Sequence, residues 1–82
     1  MADKYWVGGG SSTNWNATGP TNWSDTDGGA NDAAVPVHQD VVYMKGSSNC
    51  VMNVNTAYLR GFIQDGYTGT LSGSGILHIG PN

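Results

Sequence analysis

With 82 residues, six aspartates, no glutamate and only three lysines and arginines, the chain carries a net charge of −3. That is one small domain with too little positive charge to track a phosphate backbone, which excludes nucleic acid as a partner. A single cysteine, Cys50, excludes an intrachain disulfide and a thiolate zinc cluster.

Only 11% of residues are charged, against about 25% in an average domain, and glycine and proline together stay below the level of a structureless tract. The chain is therefore expected to fold as one domain, residues 1–82. Chains this short bury little surface and sit near the stability threshold. With no staple available, stability is expected to come from oligomerisation or from docking on a larger body. His38 and His78, forty residues apart, are the only imidazoles, and no metal or other cofactor is expected. No apolar run approaches 18 residues, so no membrane partner is expected. The opening MADKYWVGGG has no apolar core of a signal peptide, and the expectation is synthesis in a cytoplasm.

Taken from the N-terminus, residues 1–34 read as a Trp-containing loop or cap region. Residues 8–34 are almost all Gly, Ser, Thr, Asn, Asp and Ala, which predicts turns and irregular loop. All three tryptophans, Trp6, Trp15 and Trp23, lie in this part of the chain. In a segment so poor in aliphatic residues, burying indoles is the large apolar gain available. They are expected to plug one end of a strand stack, with Asn14 and Asn22 forming local Asx-turns. The sharper alternative is an exposed sugar-binding platform built on Trp15 and Trp23.

Three motifs here carry little chemistry. GGGSS at residues 8–12 lacks the Gly-Lys-Ser/Thr of a phosphate loop. Asn16-Ala17-Thr18 and Asn22-Trp23-Ser24 fit the glycosylation pattern, which is cheap in so Asn-rich a chain. Asp25, Asp27 and Asp32 in DTDGGAND could offer hard oxygen ligands, but a solvated turn is the expectation.

Residues 35–82 read as short strands separated by turn signals: 41–44, 50–54, 57–63, 68–71 and 75–79. Alternation predicts Ala57, Leu59, Gly61 and Ile63 on one face and Tyr58, Arg60, Phe62 and Gln64 on the other. Leu77 and Ile79 share a face opposite Ile76 and His78. Starts near 41, 50 and 59, nine residues apart, suit a sandwich, a barrel or a solenoid. The fold class expected is all-β, a small solenoid-like or sandwich domain with a long irregular Gly/Ser/Asn-rich N-terminal region. No serine sits in a nucleophile-elbow context, no cleft for paired carboxylates is expected, and Cys50 reads as a small buried apolar group. An enzyme is not expected.

Tyr5-Trp6-Val7-Gly8-Gly9, the two Asn-Trp pairs, Val35-Pro36 and Gly66-Tyr67-Thr68-Gly69-Thr70-Leu71 together resemble a known opening. From Tyr5 to about Gly80 the chain is similar to the N-terminal region of phage virion structural proteins, and to the starts of β-solenoid adhesin passengers. The resemblance implies a structural β protein in which the Asn-Trp loops precede the first strand and the Gly-Tyr-Thr-Gly-Thr turn joins successive rungs, with no catalytic residues to carry over. Where that family commonly has paired acids and an aromatic near the first strand, this chain has Gln39-Asp40. It also stops after roughly two rungs, which suits a repeated coat position.

The function these readings lead to is capsid decoration: a cement protein, expected as a homotrimer, on the virion's capsid surface with the major capsid protein as partner. A tail, baseplate or receptor-binding fibre attachment module is the alternative, and a carbohydrate-binding module a second. Trp6, Trp15, Trp23, Tyr43, Leu77 and Ile79 are the expected structural anchors and partner contacts.

Overall fold

The computed structural model describes residues 2–81. Among them are six strands and no helix: β1 (Asp3–Trp6), β2 (Trp23–Ser24), β3 (Val41–Met44), β4 (Cys50–Val51), β5 (Gly61–Gln64) and β6 (Leu71–Ser72). The protein is all-β. One sheet has the order β2-β1-β3-β5 and the other pairs β4 with β6. Both sheets have free edges, so the barrel option falls away.

The pairing has a simple period. β3 runs parallel to β5 with Val41 beside Gly61, and β4 parallel to β6 with Cys50 beside Leu71. Leu59 makes a parallel bridge to Ile79. These are steps of 20, 21 and 20 residues, so residues 41–60 and 61–80 form two stacked circuits of the chain. Residues 3–40 make a longer circuit above them: β1 lies parallel to β3, and Asn14 bridges Val51.

The predicted strand at 41–44 is β3, a Val-Val-Tyr-Met run suited to a pleated, half-buried surface. The others are shorter than expected or displaced. The strand expected over 50–54 is reduced to Cys50–Val51, that over 68–71 becomes Leu71–Ser72, and 75–79 keeps only the bridge at Ile79. The reason is the corners. Between them single backbone bonds hold the circuits together: Met52 donates to Ser72 (2.6 Å) and Thr56 to Ile76 (2.9 Å). The alternation predicted through 57–63 also breaks at a corner. Leu59 is fully buried whereas Ile63 is exposed, because the chain bends at Arg60 and re-enters a strand at Gly61. The N-terminal region contributes β1 and β2, which pair antiparallel with each other and complete the large sheet, with β1 also lying parallel to β3; between and after them the chain is mostly irregular.

Inside the stack lie Trp6, Trp15, Trp23, Ala33, Val42, Met44, Cys50, Met52 and Leu59. Side chains cap the amides that turn corners: Asn49 Oδ1 accepts from Thr70 N, Asn55 Oδ1 from Ile76 N, and Thr56 Oγ1 from His78 N. Two second-circuit glycines allow the layers to touch. At Gly73, whose φ is +104°, a Cβ would lie 2.5 Å from Met52 O, and at Gly75 it would collide with Val54 O.

Burial pushes the Cys50 thiol up from 9.0 to about 12. An acid that is harder to ionise when folded leaves stability intact below the unfolded value and erodes it above. Stability is therefore expected to fall between about pH 9 and 12, with a slope approaching ~1.4 kcal/mol per pH unit. Tyr67, raised by burial and then by the charge of Cys50, acts in the same direction. Urea midpoints at pH 7.5, 9.5 and 10.5 check this, and native Cys50 is expected to resist thiol reagents until the protein is unfolded.

Candidate interface at the open end of the strand stack

The two ends of the stack differ. At the N-terminal end the three indoles form a plug: Trp23 meets Trp6 edge-on with centroids 5.1 Å apart, and Trp15 at 4.7 Å. Their N–H groups point into the protein. Trp23 Nε1 donates to Trp15 O at 2.9 Å and Trp6 Nε1 to Ser48 O at 3.0 Å. Trp6, Trp15 and Trp23 are packed together inside the protein, and neither Trp15 nor Trp23 presents the exposed indole face that the platform alternative requires. Indoles with at most 1% of their surface exposed offer no face to a sugar.

Asn22 ties the plug to the loop above it, in a way that spacing could not reveal. Instead of a local Asx-turn, its buried carboxamide accepts from Gly10 N and donates to Ser12 O and Asn14 O. Gly10 is glycine because a Cβ there would lie 2.8 Å from Asn22 Oδ1. Asn22→Ala removes three bonds and strands buried groups, an expected loss of about 2–3 kcal/mol readable by chemical denaturation.

The outer edge of β2 is covered too. Ala33 N donates to Trp23 O, and Thr21 Oγ1 donates to Ala33 O. Lys4, nearly buried, reaches Asp25 at 2.8 Å. A two-residue strand with a covered edge and a charge pair beside it resists pairing with another chain.

Lysine contacts also account for two of the three acids of DTDGGAND. Asp25 holds Lys4, and Asp27 holds Lys45 at 2.7 Å, with Asp65 at 3.3 Å on its other side. Lys45 thus links the long first circuit, β3's end and the second circuit. Its hydrogen bonds to Asp27 and Asp65 raise its pKa, so it stays cationic. A cavity of about 300 Å³ beside it is lined by Trp6, Val7, Gly8, Gly28, Gly29, Asn31, Lys45 and Gly46. Its lining includes no thiol, hydroxyl or imidazole side chain.

Ser48 O is a further junction, accepting from Trp6 Nε1 and from Tyr67 OH at 2.7 Å. Through it the Gly66-Tyr67-Thr68-Gly69-Thr70 turn hooks onto the circuit above, helped by Thr68 N donating to Gly46 O. On the outer wall Tyr43 stacks on Tyr5 at 4.7 Å, so this expected anchor holds the wall together. Gln39, at a left-handed φ of 64°, donates from Nε2 to both Tyr58 O and Gly80 O.

The other end has no such cover. β5 is the last strand of its sheet, and no strand lies beyond it among the described residues. All three isoleucines of the chain, Ile63, Ile76 and Ile79, fall in the second circuit and are 42%, 54% and 52% exposed. Leu59, the neighbour of Ile79 in the circuit above, is fully buried. Phe62, Leu71 and Leu77 are half-buried against the core. The expected contacts Leu77 and Ile79 therefore separate: Leu77 packs inward and Ile79 faces out. His78 Nδ1 is buried with no hydrogen-bond partner, its ring edge-on to Tyr58.

Fold and surface together define a small all-β protein with one mixed sheet, in which β2 pairs antiparallel and β3 and β5 parallel, and one two-stranded parallel sheet. Comparison of the chain with protein-family profiles, curated proteins and solved structures finds no match.

Proposed function

We propose that this chain is a structural, non-catalytic protein of a phage virion, a short parallel β-solenoid that decorates the capsid by binding the major capsid protein. The observation that supports the solenoid reading is the constant step of 20 or 21 residues between Val41 and Gly61, Cys50 and Leu71, and Leu59 and Ile79. Each pair then marks one face of successive rungs beneath a tryptophan cap. The Gly66-Tyr67-Thr68-Gly69-Thr70-Leu71 turn, for which the resemblance implies a junction between rungs, lies instead within the second circuit, between β5 and β6, and hydrogen-bonds to the circuit above through Tyr67 and Thr68. A subunit of about 30 × 26 × 26 Å with a weakly charged surface suits a repeated coat position, where many copies add up modest contacts.

A second reading, an attachment module of a tail or fibre, is favoured by the unpaired edge of β5, which a further rung could continue. Co-sedimentation of the labelled protein with isolated capsids and with isolated tails of the same phage separates the two. Saturable binding at hundreds of copies per capsid is the expected result; binding only to tails, at a few copies, overturns decoration in favour of the fibre module.

A further inference from the structure

We infer that Asp27 and Asp65 are modification sites, where the backbone rearranges to isoaspartate through a succinimide closed by the next residue, and that Lys45 restrains both. The chain has six aspartates, and only these two precede glycine; no asparagine does. Glycine has no Cβ to obstruct its amide nitrogen. Where a Cβ would stand on Gly28 or Gly66, no atom lies within 4 Å, so ring closure meets no neighbour. Both acid side chains are well exposed, at 57% and 63%.

The chemistry needs no cofactor. The amide nitrogen of Gly28 or Gly66 attacks Cγ of the preceding aspartic acid, the new N–Cγ bond closes the ring, and the carboxyl hydroxyl departs with the amide proton as water. Water then reopens the ring. Cleavage between the nitrogen and the original backbone carbonyl leaves the chain running through Cγ, with one extra main-chain carbon and a shortened carboxylate. Lys45 opposes the first step because both acids share it. Its Nζ lies 2.7 Å from Asp27 Oδ2 and 3.3 Å from Asp65 Oδ2. An oxygen bound to the ammonium must give up that bond before it can take a proton and leave. Register sets the second contact: Met44 pairs with Gln64, so Lys45 and Asp65 are the next residues of stacked strands. Rearrangement withdraws the carboxylate from Lys45 and lengthens the circuit at that joint, which unfastens the circuits that Lys45 links.

Protein held at 37 °C and pH 6.5 for about eight weeks, then mapped by trypsin and electron-transfer fragmentation, tests this. Cleavage at Arg60 puts Asp27 and Asp65 on separate peptides. Isoaspartate is expected at both, and at none of Asp3, Asp25, Asp32 and Asp40, which precede larger residues. Lys45→Gln is expected to speed both sites about two- to fivefold, the range that an exposed ion pair can withhold. If that variant loses the wild-type near-ultraviolet circular dichroism, wild-type protein in about 1 M NaCl, where the pair is screened, takes its place with the same expectation. Absence of isoaspartate at either site, equal amounts at Asp25 or Asp32, or rates unmoved in the deciding comparison overturns the inference.

Discussion

Trp23→Ala is expected to lose about 3–5 kcal/mol of stability, the range for emptying a buried aromatic site. The indole is fully buried, touches both other tryptophans edge-on, and gives its N–H to Trp15 O. Its neighbours cannot collapse into the gap easily, because Trp6 and Trp15 are themselves pinned, one to Ser48 O and the other through its backbone N–H to Val51 O. A domain of this size has a total stability of roughly 4–12 kcal/mol, so the variant is expected to lose a quarter or more of it. Trp23→Phe keeps most of the ring volume and loses the hydrogen bond, with an expected loss of about 1–2 kcal/mol. Urea unfolding with near-ultraviolet circular dichroism distinguishes the two. Equal, small losses for both would mean that the plug does not hold the end of the stack.

Gly75→Ala is the second large effect, and its cause is steric. The added methyl would strike Val54 O, a backbone atom of the circuit above, while Gly75 N donates to Met52 O at 2.8 Å. Backbone cannot rotate away as a side chain can, so the two circuits must separate and the bonds around Met52 must lengthen. About 3 kcal/mol is expected, at the upper end of overpacking losses. Gly61→Ala is the matched control. There a Cβ meets only Val41 methyls at 3.6 Å and beyond, an ordinary contact, and the change is expected to stay within about 0.5 kcal/mol or to stabilise slightly by restricting the unfolded chain. A stack of independent hairpins would show no such difference between the two glycines.

Much of this organisation was legible from residue types. The tryptophans had no other apolar company in the N-terminal third, so a plug followed from composition. Val41–Met44 declared itself by β-branched and aromatic side chains, and the nine-residue spacing of strand starts located the faces of the stack. What stayed hidden was non-local. Asp3–Trp6 carries a lysine at an inward position, acceptable only because Asp25 reaches it from the far side of the cap. Asn22 looked like a turn residue because nothing in its neighbours reveals bonds to Gly10, Ser12 and Asn14. The alternation over 57–63 misled because it assumed a straight strand, whereas the corner at Arg60 resets which side faces inward. Of the six residues expected as anchors and contacts, the three tryptophans are buried, Tyr43 stacks on Tyr5, Leu77 is half-buried against the core and Ile79 is exposed. Ile63 and Ile76 are exposed as well, and the confinement of isoleucine to residues 63–79 was legible in the sequence.

Residue-resolved amide hydrogen exchange tests the central claim, two stacked circuits under a tryptophan cap, most directly. The amides of Cys50, Met52, Thr56 and Leu59, which donate to Thr70, Ser72, Ile76 and His78 in the next circuit, are expected to exchange only through global unfolding. Ser47, Asn53 and Ser74, exposed in turns, exchange fast. Protection of all four ladder amides, lost together in Gly75→Ala, is the result the stacked architecture requires. Fast exchange at Cys50 and Met52 in the wild-type protein would contradict it.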